Sequence, residues 1–274
     1  MGGGLESIVA ATRERVEKLR HAADRDELRR RAGRHKPRGF ARALRAAYER
    51  DGFAIIAELK KASPSKGVIR GSFAVAGLAV ELQKAGASAL SVLTEEEHFQ
   101  GSLANLCEAS AATDLPCLRK DFMVDEFQVL EARANRADAI LLIVAALSRR
   151  ELMSLADVAH ELGLDVLCEI HDEDELESAM AARCDMIGVN SRNLKTLEID
   201  KAVPRRLAGL LPKTLLRVAE SGIASGTEIR ELADLRYQAF LIGESLMRAD
   251  SPGEALAGMI SEFRALSTAE RRGA

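Results

Sequence analysis

No apolar stretch in this chain is long enough to cross a membrane. The longest, Ala139 to Leu147, reaches about half of what a spanning helix needs. The N-terminal "MGGGLESIVAATRERVEKLR" turns charged before an apolar secretory core can form. Cysteine pairs are missing too: Cys107, Cys117, Cys168 and Cys184 stand far apart with no C-x-x-C. That removes the usual zinc and dithiol signatures and leads us to expect reduced thiols in a cytoplasmic protein. Neither sign of charge is in excess, since 39 Lys and Arg against 42 Asp and Glu leave a formal charge of -3. Nucleic acid and anionic membranes are therefore not expected partners. Aromatics are scarce, with no tryptophan, two tyrosines and eight phenylalanines, and none interleaves the one basic run, "RRRAGRHKPR" from Arg29 to Arg38. Without stacking residues that run reads as a solvated linker between two N-terminal helices. No G-x-x-x-x-G-K-[ST] and no strand-linked G-x-G-x-x-G occurs, and the five histidines lack metal-ligand spacing. Neither a nucleotide cofactor nor a metal is expected.

What is present is a rhythm. From Phe53 onward, eight short apolar runs, "FAIIAEL", "ALSVLT", "LPCLRK", "AILLIV", "DVLCEI", "MIGVN", "LLRVAE" and "AFLIG", alternate with amphipathic segments such as "VAGLAVELQKAG" and "RRELMSLADVAHELG". Strand ends recur at roughly 20 to 35 residues, the size of one βα unit. Eight such units without a long crossover fit a closed (β/α)8 TIM barrel better than an open doubly wound sheet. Residues 53–274 are read as this α/β barrel and residues 1–52 as an N-terminal helical extension, in one structural domain overall. The extension should hold helices at about Leu5 to Arg20 and Phe40 to Arg50. Plugging the barrel floor, covering its mouth and making an oligomer contact are all open to it.

In such a barrel the carboxyl ends of all strands meet at one face. Side chains alternate along a strand, so Glu58 and Lys60 project together toward the mouth and Lys61 points away. Lys120 ends the third run, Glu169 the fifth with Cys168 turned outward, Asn190 the sixth with Arg192 after it, and Glu220 the seventh. Any one of these charges can simply emerge into solvent, but five charged strand ends converging on one face suit acid–base work. A lysine there can also form a Schiff base with a ketone. Ser221, Gly222 and Gly243 follow the seventh and eighth strands, where barrels bind phosphate through backbone N–H groups. Ser63, in the first loop, brings a hydroxyl toward the same place. A phosphorylated small molecule is the expected partner.

The runs "IIAELKKASPSKG", "LTEEEHFQGS", "LPCLRKDFMVDEFQV", "LCEIHDEDEL", "GVNSRNLKTLEID", "VAESGI" and "LIGESLMR" resemble, in order, the motifs of the indole-3-glycerol-phosphate synthase family. The resemblance implies a cofactor-free carboxy-lyase of tryptophan biosynthesis; a monomer is expected. It would close the ring of 1-(2-carboxyphenylamino)-1-deoxyribulose 5-phosphate with loss of carbon dioxide and water. Carried over by motif, Lys120 and Lys60 are the general acids, and Glu169 and Glu58 the carboxylates, one of them the base. Asn190 holds Glu58 or the substrate, and Arg192 binds the substrate carboxylate or supports the site; Glu220, from its place at a strand end, is read as orienting a lysine. Ser63, Ser221, Gly222 and Gly243 match phosphate contacts, while Phe99, Phe122, Leu141 and Leu194 match positions packing on the anthranilate ring. The chain departs from the pattern in two places. It lacks the tryptophan that some members carry near the N-terminus, and its eighth-strand turn reads Gly-Glu-Ser instead of Gly-Ser-Ser, leaving only the backbone of Glu244 for phosphate. Other readings of the same strand ends are an isomerase or aldolase of the phosphate-barrel kind and a silent scaffold. Taken as an unpaired lysine at a strand end, Lys120→Ala should abolish turnover and leave the melting temperature unchanged.

Overall fold

The computed structural model describes residues 4–194 and 196–273, residues 268–273 through their backbone. Eight strands, β1 (Ala54–Leu59), β2 (Ala89–Leu93), β3 (Cys117–Lys120), β4 (Ala139–Ile143), β5 (Asp165–Ile170), β6 (Met186–Asn190), β7 (Leu216–Glu220) and β8 (Ala239–Ile242), pair in parallel and close into a barrel. Closure is made by β8 against β1, with Ala54 opposite Ala239. Helices connect the strands, and polar residues fix where several begin. Ser102 accepts from the N–H of Asn105, Ser225 from that of Glu228, and Ser148 and Glu151 form a reciprocal capping box.

Strand alternation sorts the apolar residues into two cores. Ile55, Ala57, Leu59, Leu142, Cys168 and Phe240 face the surrounding helices. Ala54, Ile56, Leu118, Leu141, Leu167, Met186, Val218 and Leu241 fill the barrel. Continuing the inward parity along the strands reaches Glu58, Lys120, Glu169 and Glu220 one step further and, past Gly188 on β6, Asn190. The charged strand ends are thus the topmost layer of the barrel interior. Register aligns them: Lys120 lies opposite Leu93, Glu169 opposite Ile143, and Asn190 opposite Glu220.

The N-terminal extension has three helices, α1 (Leu5–Ala22), α2 (Arg25–Arg34) and α3 (Phe40–Asp51). The basic run is therefore not a linker, because most of it forms α2. Only Ala32 of that helix is buried, so it carries no apolar periodicity to betray it. Polar contacts hold it instead: Asp24 caps the N-terminus, accepting from the N–H groups of Asp26 and Glu27, and Arg30 pairs with Glu27 at 2.8 Å. Beyond α2, the run is anchored to the fully buried Asp138 at the start of β4. Asp138 accepts from Arg38 N at 2.6 Å, Arg38 Nη2 at 2.7 Å and Cys117 N at 2.7 Å, and His35 Nε2 lies 3.0 Å away.

The extension fills two of the places left open to it. Phe40 and Leu44 of α3 pack into the barrel interior, and Asp165, at the N-terminal end of β5, accepts from the N–H of Ala41 at 2.8 Å. This puts α3 under the floor. At the other end Leu5 and Val9 of α1 share a cleft with Ala146, which follows β4, and with Asn190 and Leu194. This puts the start of α1 at the mouth.

Candidate active site

A cavity of about 350 Å³ opens at the carboxyl ends of the strands, lined by Glu58, Lys60, Lys120, Glu169, Asn190, Arg192 and Glu220 on its charged side. Phe99, Phe122, Leu141 and Leu194 form an apolar wall with Leu93, Ile143 and Leu241. The Phe99 and Phe122 rings stand 6.4 Å apart and tilted at 45°, an aromatic pair within that wall. Ser221, Gly222 and Gly243 lie on the wall as well. Of the expected site residues, only Ser63 is off it.

Two lysine–carboxylate pairs face this space. Lys60 Nζ is 2.7 Å from Glu58 Oε1. Lys120 Nζ donates to Glu169 Oε2 at 2.8 Å and lies 3.6 Å from Glu220 Oε2. Lys120 is consequently not the unpaired lysine that its place in the sequence suggested, because β5 and β7 each bring a carboxylate to it. Burial alone would push its ammonium toward neutrality, but Glu169, then Glu220 and Glu58, hold its pKa above the usual lysine value. Glu169 is driven the other way. Burial opposes its charge, yet Lys120 and then His171 keep it well below the usual carboxylate range. Glu220, buried and beside the charge of Glu169, is raised to about 8. At neutral pH the group holds one lysine cation, one carboxylate and one protonated carboxyl, the separated acid and base that proton-transfer chemistry needs.

Two glycines make room for these carboxylates. A Cβ at Gly243 would lie 2.9 Å from that of Glu58, and one at Gly188, in mid β6, would run into Glu220 Oε1. Gly188→Ala should therefore displace Glu220 and cost about 1–3 kcal/mol by overpacking. A lowered urea midpoint together with reduced turnover would show it, and an unchanged midpoint would mean that Glu220 has slack.

A sequence model described as indole-3-glycerol phosphate synthase matches residues 5–259. The chain belongs to the indole-3-glycerol phosphate synthase family. A protein of that name from Koribacter versatilis is 55% identical over 262 residues, covering 95% of this chain and 100% of its own. Another from Burkholderia ambifaria is 47% identical over 255 residues, covering 93% and 98%. Among solved structures, thiamine phosphate pyrophosphorylase from Pyrococcus furiosus superposes with a TM-score of 0.61 at 14% identity, over 79% of this chain and 98% of its own. That likeness speaks for the barrel fold alone.

Against the family motifs, the first loop and the eighth-strand turn hold the differences from expectation. Ser63 sits in a two-residue antiparallel pairing with Gly67, and its buried Oγ makes no hydrogen bond among the described residues. The loop reaches the site through Ser65 instead, whose Oγ accepts from Arg192 Nη1 at 3.4 Å. Arg192 also pairs with Glu244 at 3.3 Å, and Arg248 holds the same carboxylate at 3.1 Å. The glutamate in the Gly-Glu-Ser turn is thus tied sideways to two arginines. Next to it, Ser245 Oγ donates to Ile223 O at 2.9 Å and locks the seventh- and eighth-strand turns together. Asn190 turns its Oδ1 to the backbone N–H of Arg192 at 2.9 Å.

Sequence reasoning also missed the residues that place the aromatic wall. Glu95 accepts from the backbone N–H groups of Glu97, His98 and Phe99. Asp121 accepts from Phe122 N at 2.9 Å while Thr94 and Arg119 hold its other oxygen. A signal was available: each is an acid just past a strand end with the aromatic residue one or four places on, a spacing at which a carboxylate can reach the backbone of its own loop. Among the described residues, no three His, Cys, Asp or Glu side chains are grouped to hold a metal ion.

Proposed function

We propose that this chain closes the indole ring of 1-(2-carboxyphenylamino)-1-deoxyribulose 5-phosphate, releasing carbon dioxide and water to give indole-3-glycerol phosphate. Family membership supports the reaction, and one geometric observation carries the mechanism. Two lysine–carboxylate pairs, Lys60 with Glu58 and Lys120 with Glu169, face a single cavity with an aromatic wall. The anthranilate ring stacks along Phe99, Phe122, Leu141 and Leu194 with its carboxylate toward Arg192. The phosphate takes backbone N–H groups at the Ser221–Gly222 turn and at Gly243.

Ring carbon attacks the ketone as one lysine protonates the carbonyl oxygen. The carboxylate leaves, and its bonding pair restores the aromatic ring. The other lysine then protonates the departing hydroxyl, and a glutamate, Glu169 or Glu58, takes the methylene proton. Glu220, at 3.6 Å from Lys120, holds that lysine in place.

With no tryptophan and two tyrosines, the protein's own fluorescence is weak, so indole emission on adding substrate reads the reaction directly. A rising signal is expected. A flat trace from folded protein would overturn the assignment.

The same reading has the chain work as a monomer, since every group named above comes from one polypeptide, and in the cytoplasm, a reducing compartment that its free cysteines suit. Residues 1–52 and 53–274 act as one unit, because α3 closes the barrel floor. Sedimentation at single-chain mass and one cooperative unfolding transition check both points.

A further inference from the structure

On the ring-closure reading above, the substrate phosphate still lacks a counter-charge. At neutral pH a phosphate ester carries roughly 1.5 to 2 negative charges, and the N–H groups at the Ser221–Gly222 turn and at Gly243 are neutral donors. Among the described residues four cations line the cavity: Lys60, Lys120, Arg192 and Arg248. Lys60 and Lys120 are each paired with a glutamate and serve the proton steps, and Arg192 takes the substrate carboxylate. Arg248 is the cation left without a task.

Its place in the chain suits that task. Arg248 ends the short helix Glu244–Arg248, which starts directly after Gly243. Side chains in a helix lean toward its N-terminus, so an arginine four residues on reaches back over the first turn. There Glu244 Oε1 accepts from Arg248 Nε at 3.1 Å. That contact engages Nε, and among the described residues Nη1 and Nη2 make no hydrogen bond. The helix that carries the arginine is fixed at both ends. Ser245 Oγ donates to Ile223 O at 2.9 Å, in the turn after β7. Arg70, from the first loop, donates through Nη1 to Ala249 O at 2.8 Å and Met247 O at 3.3 Å, and through Nη2 to Asp250 O at 3.2 Å. The guanidinium is thus held by one edge on a fixed base, its fork unengaged on the wall it shares with Ser221, Gly222 and Gly243.

We propose that Arg248 is a phosphate-binding residue, its two Nη groups holding outer oxygens of the substrate phosphate while the backbone turns hold the inner ones. A planar fork with parallel N–H donors matches the edge of a phosphate. The Gly-Glu-Ser turn then has a chemical sense. A serine there would offer a single hydroxyl, whereas the glutamate, an acceptor with nothing to donate, brings a cation to the phosphate through the arginine it holds.

The test is Arg248→Ala, with KM and kcat read from indole emission and the binding of inorganic phosphate and of anthranilate read separately by calorimetry. Arg248 is half-exposed, so the variant should fold. KM should rise about 10- to 100-fold with kcat within about threefold, the loss expected for hydrogen bonds to a charged group. Phosphate should bind more weakly, and anthranilate, which represents only the other end of the substrate, should not. Arg248→Ala also bares Glu244 to the phosphate, and the double variant Arg248→Ala, Glu244→Gln removes that repulsion. It should still bind phosphate about fivefold or more weakly than wild type, because the donors are gone. KM within about twofold of wild type in Arg248→Ala would overturn the assignment. Equal losses for phosphate and anthranilate would do the same, as would a double variant restored to wild-type phosphate affinity or a wild type that binds no phosphate. The wild-type protein separates the two claims: phosphate bound through Arg248 without indole sinks only the ring-closure reading, whereas indole from wild type beside an unimpaired Arg248→Ala sinks only the arginine's role.

Discussion

Lys120→Ala is expected to lose at least about 10³-fold in kcat and, unlike an ordinary surface lysine, several degrees of melting temperature as well. The activity loss follows from removing a general acid whose contribution is typically about 10²–10⁴-fold, together with the ammonium that holds Glu169 in place at 2.8 Å. The stability loss follows from what remains. Glu169 is 1% exposed and would keep its charge with only His171 nearby, 3.4 Å away. Breaking a buried ion pair from one side typically costs about 3–5 kcal/mol. For a chain of this size that is roughly 5–15 °C, with His171 drawing the value toward the lower end. The double variant Lys120→Ala, Glu169→Gln removes both charges and should recover most of the stability and none of the activity. Thermal denaturation and indole emission on the three proteins measure both. Full activity in Lys120→Ala would remove it from the mechanism. An unchanged melting temperature would mean that Glu169 takes up a proton as soon as its partner is gone.

That expectation differs from what the sequence supported, and the difference shows what a linear chain discloses. The barrel was legible because each strand is a short apolar run with a boundary, and because the parity that buries Ile56 also turns Glu58 and Lys60 inward. A carboxylate two residues before a lysine at the end of such a run, as in "IIAELKK", has a face to share and a mouth to point into. The partners of Lys120 were not legible. They come from β5 and β7, and it is the closure and stagger of the barrel that set Glu169 at 2.8 Å and Glu220 at 3.6 Å. α2 was hidden for another reason: it is held by capping, ion pairs and Asp138, so it leaves no apolar stripe to read. In the first loop Ser63 pairs with Gly67 through its backbone and leaves its buried Oγ unbonded, while Ser65 reaches Arg192.

Glu220 supplies the second large effect, on how stability varies with pH. Burial, and then the charge of Glu169, raise its carboxyl to about 8 from an ordinary value of 4.5. Between those limits the folded protein holds a proton that the unfolded chain has released, so stability falls as pH rises, by at most about 1.4 kcal/mol per unit. His171 acts with the same sign. Raised to about 10 from 6.5, its contribution is complete below about 6.5 and is lost as pH climbs toward 10. Glu169 acts with the opposite sign, since its depressed value gives stability above about 4.5 that is lost on acidification. The melting temperature should therefore peak in mildly acid solution and fall most steeply between about pH 6.5 and 8, where Glu220 and His171 both hold extra protons. Glu220→Gln keeps the uncharged shape and removes one of the two, so its decline over that interval should be about half that of wild type. Melting curves at the two ends of that interval decide it. Parallel declines would mean that Glu220 is a carboxylate at neutral pH, with Lys120 held between two negative charges.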